Sequence, residues 1–227
     1  MMAIIQEDNF NCRHAEKENF LKLIKNKFVV ALDFDGVITS PGELKKIYIN
    51  ELGYRLQIDE VERDICLSKG VPLEDYKKGA YRAYTEKPSL LPLEKDFKEV
   101  FYKIRNFEDV SVFIVSSRYD YMIPHLEEYL KFHKIKVDGI IATSEKNKIE
   151  GLKKINAHVF FDDSISKLKD ILHHDPEFYR KCSLVLFRNN QNVNRVQDSS
   201  KIGEVAGWKE LENFFEKIKS GNNHNNI

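Results

Sequence analysis

The sequence lacks an excess of charge of either sign, and it lacks any long apolar run. Its 36 lysine and arginine residues balance 36 aspartate and glutamate residues, which gives a formal net charge of zero. This balance removes the whole-molecule electrostatic argument for a nucleic-acid partner. A helix that spans a bilayer needs about 20 apolar residues in succession, and no run in the chain approaches that length. We therefore expect no membrane partner, and the charge does not favour nucleic acid.

Cysteine is also scarce. Cys12, Cys66 and Cys182 lie far apart, match no zinc-ligand spacing and, being odd in number, build no disulfide framework. The segment MMAIIQEDNFNC contains neither a basic stretch nor a long apolar stretch, so we expect no secretory signal. Both absences favour a cytoplasmic protein.

What the sequence does contain is sufficient for a full hydrophobic core. The chain has 227 residues, of which 42% are hydrophobic and 32% charged, a composition that excludes disorder and fibrous repeats. Short apolar runs rich in β-forming residues predict buried strands. These runs span residues 28–35, 111–117, 139–143, 157–163 and 182–189.

Helical patterns lie between the predicted strands. Phe97, Val100, Phe101 and Ile104, for example, follow the spacing of one face of an amphipathic helix. Apolar strands that alternate with such helices are typical of a parallel sheet covered on both faces. Because crossover connections are right-handed, few topologies remain, and the fold class that we predict is α/β with a doubly wound parallel sheet.

One stretch interrupts the alternation. Residues 42–87 contain helical patterns and no convincing strand, directly after the first predicted strand. An insertion there would lie above the carboxyl ends of the strands, where open α/β sheets bind ligands. We therefore expect a small helical cap over 42–87 and a core domain over 28–41 and 88–219. An N-terminal extension over 1–27, packed on the outside, and a disordered polar tail over 220–227 complete the predicted organisation.

Two aspartates close the first predicted strand, in the sequence DFDG. Gly36 can turn the chain after Asp33 and Asp35 so that both carboxylates face one site. Such a pair, when buried, is costly unless a cation or hydrogen bonds compensate it. Taken alone, a pair of aspartates that caps a turn is an equally good interpretation.

Polar and charged groups accompany the other strand ends as well. They are Ser116, Ser117, Arg118, Lys148, Asp162 and Asp163. Each of them singly is typical of a loop, a helix N-cap or a solvated surface. Together they converge on the carboxyl edge of one parallel sheet. Carboxylates there can hold a divalent cation, and hydroxyl and cationic groups can hold a phosphate.

The order of these motifs resembles the haloacid dehalogenase superfamily of phosphotransferases. In chain order the shared motifs are Asp33-x-Asp35-Gly-Val, a hydrophobic strand ending at Ser116, a lysine, and a hydrophobic strand ending at Asp162-Asp163. The resemblance covers residues 28–41 and roughly 93–189, which together include most of the predicted sheet. It implies a Rossmann-like fold with strand order 3-2-1-4-5, a cap after the first strand and a magnesium-dependent aspartyl-phosphate mechanism.

The resemblance also implies roles for the acidic residues. Asp33 would be the nucleophile that attacks phosphorus, and Asp35 would serve as general acid and then as general base. Asp163 would bind Mg²⁺ directly, with Asp162 as a direct or an outer ligand. Asp33 and the backbone carbonyl of Asp35 would complete the metal site. Because the dehalogenase members lack the second aspartate, Asp35 favours phosphate chemistry.

The basic and hydroxyl groups would bind phosphate. Ser116 and Lys148 would hold the phosphoryl oxygens, with Lys146 as the alternative lysine. Ser117 and Arg118 could add contacts to the phosphate or to the rest of the substrate.

Residues of the expected cap carry many charges of both signs. Its lysines and arginines, Lys45 among them, are best interpreted as a solvated polar face. The alternative is that one or two of them select an anionic substrate. Tyr76, Tyr81 and Tyr84 could stack on a base or a sugar, but their spacing also suits packing onto the core.

The sequence therefore predicts a magnesium-dependent phosphohydrolase whose partner is a small phosphorylated metabolite. A phosphomutase would keep the same residues and remains an alternative. A non-catalytic module that binds a phosphorylated ligand or a protein partner is a second alternative. A phosphatase that processes nucleic-acid ends would need a basic groove, which the balanced charge does not support.

Overall fold

The computed structural model describes residues 3–5, 27–86, 90–144, 146–192 and 200–219. The predicted tail and nearly all of the predicted N-terminal extension lie outside these residues. No helix of the described part is long and apolar enough to cross a membrane.

A parallel sheet forms the centre of the described part. Its strands are β1 (Ala3–Ile5), β2 (Phe28–Leu32), β3 (Val110–Ser116), β4 (Gly139–Ala142), β5 (Val159–Asp162), β6 (Ser183–Phe187) and β7 (Ile202–Val205). Their order across the sheet is β1-β4-β3-β2-β5-β6-β7, and all neighbouring strands run parallel. The inner strands β2 to β6 follow the expected order 3-2-1-4-5, which confirms the predicted α/β fold class.

The sheet is wider than the sequence analysis predicted. Strand β1 comes from the segment assigned to an external extension, and it pairs with β4 at one edge. Strand β7 pairs with β6 at the other edge. Both are short, and β7 contains a glycine and a glutamate, so neither produces the continuous apolar run that identified the inner strands.

Helices cover both faces of the sheet. In chain order they are α1 (Gly42–Asn50), α2 (Arg63–Ser68), α3 (Leu73–Thr85), α4 (Phe97–Arg105), α5 (Ile123–Phe132), α6 (Ile149–Lys154), α7 (Ile165–His174) and α8 (Trp208–Lys219). Successive side chains of a strand point to opposite faces. Val30 and Leu32 of β2 accordingly pack with α4, α5 and α8, whereas Val29 and Ala31 pack with α6 and α7.

Helices α1 to α3 follow β2 and occupy the stretch that interrupts the alternation. They correspond to the helical patterns predicted there, and we call residues 42–86 the helical insertion. The insertion has a small core of its own that includes Ile49, Val61 and Cys66. Helices α1 and α3 approach closely at Gly79, where an added Cβ would lie 2.5 Å from the Ile49 side chain. The insertion is therefore a packed unit beside the carboxyl end of β2.

Candidate active site

The carboxyl ends of β3, β2 and β5 lie side by side in the middle of the sheet. This order brings Ser116, Asp33 and Asp162 to one edge. A cavity of about 1000 Å³ opens there, lined by residues of the sheet edge and of the helical insertion. The predicted phosphate and metal residues that line it are Asp33, Asp35, Ser116, Ser117, Arg118, Lys148 and Asp163. Lys146 also lines the cavity but is exposed, so Lys148 is the buried lysine of the two.

The turn after β2 depends on Gly36. Its φ of +87° lies in the left-handed region, which glycine adopts without strain. A Cβ at this position would lie 1.9 Å from Oδ2 of Asp163, so only a residue without a side chain leaves room for that carboxylate. The indole N–H of Trp208 donates to the carbonyl of Val37, at 2.7 Å, and ties the turn to α8. Gly36 therefore serves both the turn and the position of Asp163.

Lys148 lies between two buried carboxylates. Its ammonium is 2.8 Å from Oδ2 of Asp33 and 2.7 Å from Oδ2 of Asp162, and no more than 2% of any of these side chains is exposed. Oδ1 of Asp33 accepts the backbone N–H of Phe34 at 2.7 Å. Burial by itself would raise the pKa of Asp33, but Lys148 and Lys167 outweigh it and lower that pKa to about 2. Asp33 is thus an anion held in one orientation.

Lys167 is a site residue that the sequence analysis missed. It lies in the first turn of α7, and its ammonium is 3.4 Å from Oδ2 of Asp33. Partial loss of hydration opposes its charge, although 40% of the side chain is exposed, and the carboxylates of Asp33, Asp162 and Asp163 raise the pKa of Lys167 well above its usual value. The sequence offered one signal for this role. Lys167 comes three residues after Ser164, in the first turn of the helix, and this turn faces the sheet edge.

Asp162 and Asp163 have different surroundings although they are adjacent. Asp162 is completely buried, and its two oxygens accept from Lys148 and from the backbone N–H of Ser164 at 2.9 Å. Asp163 lines the cavity. Burial, followed by repulsion from Asp162 and Asp33, raises the pKa of Asp163 well above its usual value. Carboxylate oxygens of these three aspartates lie within 4.8 Å of one another. A bound cation would relieve this repulsion.

The loop after β6 orients Asp163. The amide of Asn189 donates to the carbonyl of Gly36 at 2.8 Å and to Oδ2 of Asp163 at 3.3 Å. The amide of Asn192 donates to the carbonyl of Asp163 at 2.7 Å. The sequence analysis gave these asparagines no role, although they follow a predicted strand whose carboxyl end meets the same edge.

Arg118 pairs with Asp35 through two hydrogen bonds. Its Nε and Nη2 lie 2.9 Å and 2.8 Å from the two carboxylate oxygens. The guanidinium carbon is 4.8 Å from the ring of Phe34 and 4.5 Å from the ring of Tyr84, which belongs to α3. The sequence analysis assigned Arg118 to phosphate or substrate contacts. In the structure its guanidinium is bound to Asp35, and Oγ of Ser116 accepts its backbone N–H at 3.3 Å.

Several solved structures share this fold. A haloacid dehalogenase (HAD) hydrolase, family IA, variant 3, from Entamoeba histolytica is 15% identical, with a TM-score of 0.58, and covers 85% of this chain and 99% of its own. A HAD-superfamily hydrolase, subfamily IA, from Geobacter sulfurreducens is 14% identical, with a TM-score of 0.51, over 83% of this chain and 96% of its own. A protein described as a predicted phosphoglycolate phosphatase from Haemophilus somnus is 10% identical, with a TM-score of 0.54, over 84% and 98%.

These similarities show the fold. No protein-family model matches the chain, and no curated protein matches its sequence. The arrangement of strands and helices is therefore what the chain shares with the solved structures.

Proposed function

We propose that this chain, which has the fold of the haloacid dehalogenase superfamily, is a magnesium-dependent phosphohydrolase of small phosphorylated metabolites. The observation that carries the proposal is the environment of Asp33. One of its oxygens is held by a backbone N–H and the other by Lys148 and Lys167, beside the second aspartate Asp35 and at the wall of a large cavity. A carboxylate that is anionic, fixed in orientation and accessible from a cavity is suited to attack phosphorus.

The first step transfers the phosphoryl group to Asp33. A carboxylate oxygen of Asp33 forms a bond to phosphorus, and the bond between phosphorus and the ester oxygen breaks. The leaving oxygen takes a proton from Asp35. Lys148 and Lys167 balance the negative charge around phosphorus, and the hydroxyl of Ser116 can donate to a phosphoryl oxygen at the same edge.

The second step releases phosphate. Water attacks phosphorus, gives its proton to Asp35 and displaces the Asp33 carboxylate, so both aspartates return to their starting state. In the structure Arg118 donates to both oxygens of Asp35, so it orients the carboxylate form, which accepts the proton from water in this second step. Arg118 is therefore a positioning residue for Asp35 in this proposal.

The donor set fits magnesium. Mg²⁺ prefers oxygen ligands, and repulsion among the clustered carboxylates would be relieved by a divalent cation. Asp33, Asp163 and the carbonyl of Asp35 would hold it. Asp162 would be an outer ligand, because it is completely buried and, unlike Asp33 and Asp163, does not line the cavity. When bound, Mg²⁺ would withdraw charge from the phosphoryl oxygens. The helical insertion would act as the cap over this site.

The test is phosphate release from a panel of phosphorylated metabolites, with and without Mg²⁺. We expect metal-dependent release that is lost in Asp33→Asn, because asparagine has nearly the same shape but is a poor nucleophile. Asp175→Asn is the matched control, since Asp175 pairs with Lys153 and does not line the cavity.

Wild-type release by Asp33→Asn would contradict the mechanism, and release that resists a chelator would contradict the metal. Interconversion of phosphate esters without release, lost in the same variant, would identify a phosphomutase instead. Binding of the esters with neither release nor interconversion would favour a binding module.

A further inference from the structure

Lys45 of the helical insertion is a buried lysine. It lies in the first turn of α1 and is 7% exposed. Within the described part of the chain, no carboxylate oxygen lies within 4.0 Å of its ammonium. The centre of the Tyr84 ring lies 5.5 Å from the ammonium. The interpretation of Lys45 as part of a solvated face is therefore wrong, because local charge pattern does not show which side of a short helix meets the cavity.

The other lysines and arginines of the insertion are half-buried or exposed. Lys46 pairs with Glu43, and Arg82 pairs with Glu51 and Glu86. A buried ammonium is costly when no anion compensates it. Lys45 lines the same cavity as Asp33 and Asp163. Burial would lower its pKa, but Tyr76, Tyr84 and Asp163 raise it, so the side chain stays charged. The insertion thus presents a charged ammonium to the cavity.

Gln191 presents a second donor to the same cavity. The residue is 2% exposed, and its Nε2 has no hydrogen-bond partner among the described residues. Its Cγ lies 2.8 Å from the point that a Cβ on Gly42 would occupy, so the side chain packs against the start of α1. A buried amide donor without an acceptor costs about 1–3 kcal/mol. A ligand oxygen in the cavity would remove that cost.

We propose that Lys45 and Gln191 bind an oxyanion on the leaving group of the substrate, either a carboxylate or a second phosphate. This inference rests on the proposed function. The transferred phosphoryl group is served by Ser116, Lys148 and Lys167 at the sheet edge. Lys45 belongs to the wall that the insertion contributes, where the rest of the substrate would lie. The preferred substrate is therefore a phosphate ester with a second anionic group.

The experiment compares esters that differ only in that group. One pair is phosphoglycerate and glycerol phosphate, which tests a carboxylate. The other is propanediol bisphosphate and propanediol monophosphate, which tests a second phosphate. The value of kcat/KM is measured with Mg²⁺ for wild type, Lys45→Met, Lys45→Arg, Gln191→Leu and the matched control Lys46→Met. Methionine removes the charge without leaving a buried ammonium, so Lys45→Met should fold, which a thermal melt checks.

In one of the two pairs, we expect the wild-type kcat/KM to be about tenfold or more higher for the ester that carries the second anionic group. Hydrogen bonds to a charged group allow a preference of this size. Lys45→Met should lower that ratio by about tenfold or more, and Gln191→Leu by about threefold. Lys45→Arg should keep most of the preference, and Lys46→Met all of it. The pair that shows the preference identifies the oxyanion.

Equal rates for both members of both pairs in wild type would overturn the inference alone, provided that release is lost in Asp33→Asn. The same ratio in Lys45→Met as in wild type would also overturn it. If Lys45→Met lowered kcat/KM equally for both esters of a pair, Lys45 would act on the transferred phosphate or on the fold. That result would also overturn the inference. No release from any ester would remove the proposed function and the inference together.

Discussion

The carboxyl edge of the sheet and the wall contributed by the helical insertion differ in how their charges are paired. At the sheet edge, Asp33 and Asp162 are buried, and a carboxylate oxygen of each lies within 2.8 Å of the buried ammonium of Lys148. On the insertion, Lys45 is buried with no carboxylate oxygen of the described residues within 4.0 Å of its ammonium, and Tyr81 is 46% exposed. The charged groups of the sheet edge pair with one another without a ligand, whereas the insertion presents a charged group that a ligand would pair. Under the proposed function, the sheet edge would transfer the phosphoryl group and the insertion would select the substrate, which would account for this difference.

Of the changes considered, removal of the Lys148 ammonium should destabilise the sheet edge most. Lys148→Met leaves Asp33 and Asp162 buried without their shared partner, and loss of one member of a buried ion pair costs about 3–5 kcal/mol. We expect that loss in the free energy of unfolding, measured in urea. The phosphoryl group also loses a donor, so kcat should fall by about 100- to 1000-fold.

Lys146→Met is the matched control for that variant. Lys146 is exposed and two residues away, so we expect a change of less than about threefold in kcat and less than about 0.5 kcal/mol in stability. Larger effects in Lys146→Met than in Lys148→Met would reverse the assignment of the two lysines.

A glycine in each region offers a second comparison. Gly36 and Gly70 have nearly the same φ, +87° and +85°. An added Cβ would meet Asp163 at Gly36 but nothing within 4 Å at Gly70. Alanine at either position should cost about 1–3 kcal/mol of stability through backbone strain. Only Gly36→Ala should also displace Asp163, with about a hundredfold loss of kcat. Comparable kcat losses in both variants would mean that strain, not the position of Asp163, is responsible.

The sequence analysis succeeded where the signal is local. The inner strands are continuous apolar runs, and Asp33, Ser116 and Asp163 lie at their carboxyl ends, so the parallel order of the strands was enough to bring them together. Lys167 and Asn189 were missed because their distance from Asp33 and Asp163 depends on how α7 and the loop after β6 pack against the edge. No local pattern reports such a contact.

Lys45 shows a different limit of sequence reasoning. It and Lys46 are adjacent lysines in the same helix, yet one is buried against the cavity and the other pairs with Glu43. A nine-residue helix with charges on several sides has too little periodicity to decide between them. The edge strands β1 and β7 were missed for a related reason, because each is too short to form a recognisable run.

The smallest effect that we predict concerns stability at the sheet edge without magnesium. An unfolded aspartate has a pKa of 3.8, and burial with repulsion from Asp162 and Asp33 raises the pKa of Asp163 well above that value. The folded state therefore binds a proton more tightly there, and this residue makes the protein less stable as the pH rises above 3.8. The contribution of Asp33 to stability changes with pH in the opposite direction. Its pKa is lowered to about 2, so its contribution is present above pH 3.8 and is lost as the pH falls towards 2.

Asp163→Asn should consequently stabilise the protein at neutral pH while it abolishes metal-dependent turnover. Asparagine keeps an oxygen for the amide of Asn189 but removes a charge that burial and repulsion from Asp162 and Asp33 disfavour. We expect a gain of about 0.5–2 kcal/mol at about pH 7 in a chelator, and little or no gain at about pH 4, where the wild-type carboxyl is already protonated. Asp175→Asn is the control, because hydrogen bonding to Lys153 lowers the pKa of Asp175 instead of raising it. Removal of the Asp175 charge should therefore not stabilise the protein. A loss of stability in Asp163→Asn at neutral pH would show that the carboxylate is compensated without a metal, and the case for a cation at this edge would then rest on turnover alone.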